Sequence, residues 1–274
     1  MNNFVFNVID KIDINSGTKA VELMTLKEMG INVPRFWSVN YEEYIRFLET
    51  FSITPIDQFL SSTCYDAHEI QKINAAKGCL RSNLDMDTSL RLIARSSSVP
   101  TEKFTNYASM ISGAFESYEC DASSLPVYIA AVYESLYSEK SFYQLKLAKL
   151  EKGIKGMAVL VQEYIEPECS GVLHAYLNKP HMEVNWVKGH LRSIVSGNIS
   201  GDYDQIYENH GDVILRGREH QIYCVMENNY CGAFSELYYT AKRILDFKNV
   251  DLEIEWIYSN QKIYIVQCQE LIAI

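Results

Sequence analysis

Apolar and polar positions follow two periods along this chain. The stretch "LEIEWIYSNQKIYIVQCQ", residues 252–269, alternates with a period of two and predicts two strands joined by a polar turn around Ser259-Asn260-Gln261. "GMAVLVQEYI" is continuously apolar and predicts a fully buried strand, with "CSGVLHAYL" a second strand after a Glu-Pro-Glu turn. "LRLIARSSS" predicts another buried strand, running into a polar turn. Helical spacing appears at Val21, Met24, Leu26 and Met29, where Gly30 ends the helix. "INVPRFWSVN" reads as a strand whose Pro34 confines it to an edge or a strand start. "YEEYIRFLETF" and "FSELYYTAKRILDFKNV" predict amphipathic helices, and "LPVYIAAVYESLYSEKSFYQLKLAKLEKG" predicts the longest one, with Gly153 beyond it. Residues 53–90 alternate short helical and polar stretches, residues 105–118 predict a loop or hairpin of small residues around Gly113, and Met182 to Tyr207 alternates strands with a small loop. The mixture implies an α+β or α/β fold, and no GxGxxG fingerprint points to a doubly wound sheet.

The period of two also sorts the 252–269 hairpin into faces. Glu253, Glu255 and Ile257 share one face, opposite Leu252, Ile254 and Trp256. A three-residue loop sets Glu253 across from Gln267, whereas a five-residue loop sets Glu255 there. Either register gathers acids and amides on one patch. From these residues alone a solvated outer face ranks ahead. The sharper alternative is a magnesium site, since paired carboxylates and a neutral oxygen donor suit a hard cation bound with phosphates.

Composition narrows the field. A chain of 274 residues can bury a large core as one domain or two lobes. Its net charge of −10 argues against general binding to nucleic acid or acidic membranes, though a nucleotide needs only a few placed cations. Seven scattered cysteines form no CxxC or Cys/His cluster, which fits a reducing cytoplasm better than a disulfide framework or zinc site. No signal-peptide pattern opens the sequence and no apolar run is long enough to span a bilayer. Three of the nineteen tyrosines, Tyr133, Tyr137 and Tyr143, lie along one helical pattern and are read as packing residues with a hydroxyl at the edge.

Few residues suggest chemistry by themselves. Arg95-Ser96-Ser97-Ser98 ends a buried strand and could grip phosphate through a forked guanidinium, hydroxyls and turn amides. A serine-capped turn with Arg95 in a structural salt bridge ranks ahead of that on the residues alone. Lys19, just behind Gly17 at a helix start, is a second candidate cation. The six histidines show no HxxxH or His-Asp spacing and are read as surface or packing residues, and no GxSxG elbow is present.

The order of these elements carries more than any one of them. "GTKAVELMTLKEMGINVPRFWSV", "IARSSS", the Gly113 loop, "ESLYSEKSFYQ", "MAVLVQEYIEPECSGVLHA", "IVSGNISGDY", "IEW" and "IYIVQCQ" follow one another at spacings that resemble the nucleotide-binding domain of phosphoenolpyruvate synthase and pyruvate phosphate dikinase, shared with rifampicin phosphotransferases. The resemblance runs from about residue 16 to the C-terminus and implies an α+β, two-lobed ATP-grasp fold with ATP between lobes of about 1–163 and 164–274. It implies ATP and Mg2+ as cofactors. Lys19 matches the lysine of the family's Gly-Gly-Lys motif, and Arg95 and Ser96 fall in its Val-Arg-Ser-Ser motif; Lys19 and Arg95 are the implied phosphate contacts. Glu253, Glu255 and Gln267 match the residues that hold metal and polyphosphate, and Gln162, Glu163, Tyr164 and Ile165 the segment whose backbone meets adenine.

Departures accompany the match. The family's last strand continues Gln-x-Arg-Pro, but here it reads Gln267-Cys268-Gln269-Glu270, without the cation. The Gly-Leu-Gly-Glu turn becomes Gly189-His190-Leu191-Arg192, and Arg192 is a candidate to restore the lost charge. The 107–115 loop lacks the family's glutamine after glycine. No stretch resembles the family's phosphorylatable histidine motif, and Ile274 closely follows the nucleotide domain. The expectation is therefore a cytoplasmic ATP- and magnesium-dependent phosphotransferase subunit that passes a phosphoryl group to a histidine on a separate protein. A self-sufficient small-molecule kinase and a catalytically weakened nucleotide-binding subunit are the alternatives.

Overall fold

The computed structural model describes residues 3–84, 87–101, 114–190, 202–209, 212–217, 222–223 and 231–271. Gly113 and Arg192 lie outside the described residues, so neither the glycine loop nor a compensating role for Arg192 is addressed by the fold. The chain divides into two compact units. One comprises Met1–Val21 and Arg35–Tyr164, the other Glu22–Pro34 and Ile165–Ile274. Both mix helix and sheet, as the α+β expectation requires.

The first unit is built on a four-stranded sheet. Its strands are β2 (Phe36–Val39), β4 (Arg91–Pro100), β5 (Ser117–Asp121) and β6 (Ile154–Glu163), in the order β2-β6-β4-β5 with every pairing antiparallel. A parallel pair, β1 (Phe4–Phe6) and β3 (Leu80–Ser82), stands beside it as a separate sheet. Among the described residues its α-helices include α2 (Tyr41–Phe51), α3 (Ile56–Ser61), α4 (His68–Ala76), α5 (Leu125–Leu136) and α6 (Glu139–Leu147). The start of α2 follows from its sequence, since the Asn40 side chain accepts a hydrogen bond from the Glu43 amide and two glutamates sit in the first turn. Tyr44, Phe47 and Leu48 then recur on one face and enter the core with Phe6, Tyr133 and Tyr137.

The predicted long helix is two helices. Tyr137 closes α5, and the Ser138 hydroxyl accepts from the Ser141 amide to open α6. Tyr133 and Tyr137 are fully buried, and Tyr44 donates to the Tyr137 hydroxyl at 2.8 Å while Tyr137 donates to the Thr54 carbonyl. Tyr143, by contrast, is 53% exposed. Restarting the helix at Ser138 breaks the phase that would have carried Tyr143 into the same core.

The second unit holds a seven-stranded antiparallel sheet in the order β11-β10-β9-β8-β7-β12-β13. Its strands are β7 (Cys169–Ala175), β8 (Met182–Lys188), β9 (Asp202–Asn209), β10 (Asp212–Gly217), β11 (Ile222–Tyr223), β12 (Leu252–Ser259) and β13 (Lys262–Glu270). Helix α7 (Cys231–Lys248) packs on one face, where Phe234 meets the Trp186 and Trp256 rings at 5.3 and 5.9 Å. Helix α1 (Gly17–Glu28) ends as its sequence predicts. Gly30 takes φ +73°, its amide donates to the Lys27 carbonyl, and the Ile31 amide donates to the Leu26 carbonyl. Among the described residues no helix is long and apolar enough to cross a membrane.

The β12–β13 hairpin closes with neither loop length expected from the sequence. Ser259 pairs with Lys262, leaving a two-residue turn in which Asn260 and Gln261 both have positive φ. From that turn the register runs regularly to Trp256 opposite Ile265, then shifts so that Glu255 lies opposite Gln267 and Glu253 opposite Gln269. The bulge inserts Val266 on β13 and sets the acid–amide pairing.

Candidate functional site

In the first unit, the candidates converge on one face of β4 and the start of α1. Side chains alternate along β4, so Ile93, Arg95 and Ser97 share a face with Gln162 and Leu160 of β6. Leu92, Ala94, Val159 and Val161 line the core on the other face. Ser96, opposite Val159 and 3% exposed, belongs to that core side. The serine on Arg95's own face is Ser97. Arg95 donates through Nη1 to the Gln162 side-chain oxygen at 3.3 Å, which joins two candidate residues directly.

Ser97 also receives the start of α1. Its hydroxyl accepts from the Ala20 amide at 3.4 Å, and Gly17 lies so close that a Cβ there would stand 2.4 Å from the Ser97 carbonyl oxygen. This contact carries the first turn of α1, and Lys19 with it, to the strand that bears Arg95. A helix start gathers amide donors and the positive end of the peptide dipoles, surroundings that favour an anion.

The segment after β6 is tied down by its backbone. The Glu163 amide donates to the Arg35 carbonyl at 2.8 Å and the Tyr164 amide to the Arg91 carbonyl at 3.0 Å. The Glu163 side chain pairs with Arg35 through two hydrogen bonds, at 2.6 and 3.1 Å. The Arg91 guanidinium stacks 3.7 Å from the Tyr164 ring centroid. Strand end and aromatic are thereby fixed, while Ile165 begins the second stretch of the other unit.

In the second unit, the hairpin acids and amides lie on the sheet face opposite Trp256, which is fully buried toward α7. Glu255 sits opposite Gln267 on β13 and Val172 on β7; Glu253 sits opposite Gln269 and His174. Glu253 accepts from Gln269 Nε2 at 2.6 Å, and its other oxygen lies 3.1 Å from His174 Nε2. The hydrogen bond from His174, then its charge when protonated, and the Gln269 contact outweigh burial and hold the Glu253 carboxyl below its ordinary range. Gln267 Nε2 in turn donates to Gln269 Oε1 at 3.2 Å.

His174, a surface or packing residue by its sequence context, belongs to this patch. Its partner lies 79 residues away and is set by strand order, so no local spacing discloses it. Alternation within "CSGVLHAYL" does place His174 on the face of Val172 and Ser170, the one signal the sequence holds. Among the described residues no group of three or more His, Cys, Asp or Glu side chains could form a metal cage. The donor set nonetheless fits magnesium, which takes one or two carboxylates and completes its shell with water and substrate phosphates.

Comparison with known proteins gives the chain its relatives. The family model described as the pyruvate phosphate dikinase AMP/ATP-binding domain matches residues 15–272. No curated protein matches the chain. Similar solved structures include D-alanine–D-alanine ligase from Bacillus anthracis, at 9% identity and TM-score 0.36, over 92% of this chain and 55% of the ligase. Cdc123 from Schizosaccharomyces pombe is similar at 9% identity and TM-score 0.38, over 96% and 86% of the two chains. N5-carboxyaminoimidazole synthetase from Staphylococcus aureus, complexed with ADP, is similar at 9% identity and TM-score 0.31, over 93% and 43%. The chain thus spans about half the length of the two ligase-type enzymes. None of these structural likenesses carries an argument about chemistry.

Proposed function

Since the chain belongs to the pyruvate phosphate dikinase AMP/ATP-binding domain family, matched over residues 15–272, we propose that it binds magnesium–ATP and transfers a phosphoryl group to a histidine of a partner protein. The observation that carries the metal half is the pairing of Glu255 with Gln267, a carboxylate beside an amide oxygen donor. Magnesium would supply charge neutralisation on the polyphosphate. Lys19 and Arg95 would hold phosphate oxygens, with Ser97 positioning the start of α1. In the 162–165 segment the Glu163 and Tyr164 amides are occupied, so the Ile165 amide would be its donor to adenine. Phosphoryl transfer asks little covalent chemistry of a protein. Positioning and charge balance supply most of the rate.

The histidine acceptor rests on family membership and on the absence of any acceptor-like motif around the six histidines of the sequence. Radiolabelled ATP tests it. The chain alone should turn over slowly without acquiring stable label, and adding a cognate histidine-domain protein should give an acid-labile, base-stable label on that protein. Stoichiometric acid-labile label on this chain would overturn the transfer. Rapid phosphorylation of a small molecule without a partner would establish a self-sufficient kinase instead.

Arg95→Lys tests the phosphate grip separately. Lysine keeps the charge but loses the planar fork, so ATP affinity or transfer rate should fall about tenfold or more. An unchanged ATP titration would remove Arg95 from the site.

A further inference from the structure

Helix α6 carries apolar side chains on two faces, and the fold uses one of them. On the inner face Phe142 and Leu145 enter the core of the first unit, where the Phe142 ring meets Phe59 and Tyr65 edge-on at 5.4 and 5.9 Å. On the outer face Lys140, Tyr143, Gln144 and Leu147 follow one another at helical spacing and form a single ridge. Leu147 is 88% exposed, more than any other large hydrophobic side chain among the described residues, and Tyr143 is 53% exposed. An isolated exposed leucine is ordinary. An aromatic ring and a leucine four residues apart on one ridge, rimmed by charge, are the makings of a contact surface.

The rim is basic. Lys140, Lys146, Lys149 and Lys152 outnumber Glu139 and Glu151 in this stretch, although the whole chain carries a net charge of −10. Lys140 has only a loose and exposed pairing with Glu116, at 3.5 Å. Lys146 donates to the Ser62 carbonyl. Lys149 and Lys152 are exposed and have no ion-pair partner among the described residues. Lys149 also occupies the residue that ends the helix in a left-handed conformation, with φ +56°. Its amide donates to the Lys146 carbonyl and the Leu150 amide to the Leu145 carbonyl. That position favours glycine, yet here it presents a cation to solvent.

We propose that the outer face of α6 is a docking site for a protein that presents an apolar groove rimmed by acidic side chains, with Tyr143 and Leu147 as the anchors. Anchors at i and i+4 on a helix are what such a groove accepts. Buried apolar anchors supply the holding energy, while the lysines at the rim steer the encounter and reject basic surfaces. A second copy of this chain fits less well, because two-fold pairing of the ridge with itself sets lysines against lysines. A lipid surface fits less well too, since two apolar side chains on a nine-residue helix bury little and the net charge of −10 opposes an acidic membrane. None of these residues is a nucleotide-site candidate, so the docking site stands apart from the ATP reading.

A photo-crosslinking amino acid placed at position 147 of the whole protein, in the cells that express it naturally, tests the site. It should give one dominant protein adduct, identified by mass spectrometry, and the same probe at the exposed Ile14 should not capture that protein. The captured protein is then purified and titrated. Leu147→Asp and Tyr143→Ser should each weaken its binding about tenfold or more, with melting temperatures within about 2 °C of the wild type. Lys149→Glu/Lys152→Glu should weaken binding and flatten its dependence on salt. An adduct with a second copy of this chain, with lipid alone, or no adduct at all would overturn the proposal. So would a captured protein that binds Leu147→Asp as tightly as the wild type, or binding that salt does not weaken. Loss of several degrees of melting temperature in both Leu147→Asp and Leu147→Ser would make the side chain structural and overturn it as well.

Discussion

In Glu255→Gln, ATP with magnesium no longer raises the melting temperature, while the ligand-free protein melts within about 2 °C of the wild type. The expectation follows from which face of β12 the residue occupies. Trp256 and Ile254 are fully buried toward α7, and the alternating Glu255 side chain lies on the opposite face and is only partly buried. Replacing its carboxylate by an amide of equal size leaves packing and the backbone ladder intact. It removes one charge from a pair proposed to hold magnesium. Ligand at about a hundred times its dissociation constant stabilises the folded state by about 2.7 kcal/mol, so the wild-type shift should reach several degrees. A variant that lost several degrees without ligand, yet kept the full shift with ATP and magnesium, would show Glu255 to be a structural residue.

The elements legible in the sequence are those whose burial is uniform or strictly alternating. β6 is continuously apolar because both its faces are covered, and β12 alternates because only one is. The Schellman ending of α1 is readable from Gly30 because an αL residue there has one favoured occupant. What the sequence hides depends on geometry that periodicity does not encode. Ser138 ends one helix pattern and starts another without interrupting the polar and apolar rhythm. The β12–β13 bulge adds a residue to one strand, so loop length alone does not fix whether Glu253 or Glu255 faces Gln267. Likewise Ser96 and Ser97 are equivalent in a motif read as a polar turn, and only the continuation of β4 to Pro100 lets alternation assign Ser97 to Arg95's side.

Family membership and physical reading contribute different things to the site. The motif resemblance supplies the expectation that Lys19, Arg95, Glu255 and Gln267 contact ATP or its metal. The geometry sorts the matched residues by what their side chains are already doing. Glu253 has both oxygens engaged, and Ser96 lies on the core side of its strand. The substitution of arginine by Gln269 also gains a physical context, since the amide takes part in hydrogen bonding on both sides.

Gly17→Ala should destabilise the first unit by about 2–4 kcal/mol and weaken ATP binding as well, the largest structural effect expected of so small a change. Gly17 has φ +79° and ψ 168°, a region open essentially to glycine alone. Steric contact adds to that strain. The new Cβ would stand 2.4 Å from the Ser97 carbonyl oxygen, 2.5 Å from its hydroxyl and 2.7 Å from its carbonyl carbon. Two of those atoms are backbone in a strand paired with β6 at this residue, so they cannot move without disturbing β4. Relief must come from shifting the start of α1, which carries Lys19 away from Arg95's strand. Gly30→Ala is the control, because Gly30 has a similar φ of +73° but nothing within 4 Å of the place a Cβ would occupy. It should cost only the left-handed penalty, about 1 kcal/mol, and leave ATP affinity unchanged. Denaturant unfolding and ATP titration of the two variants separate strain from contact. Equal stability losses, or a Gly17→Ala protein that binds ATP as the wild type does, would mean that the contact between Gly17 and Ser97 does not position Lys19.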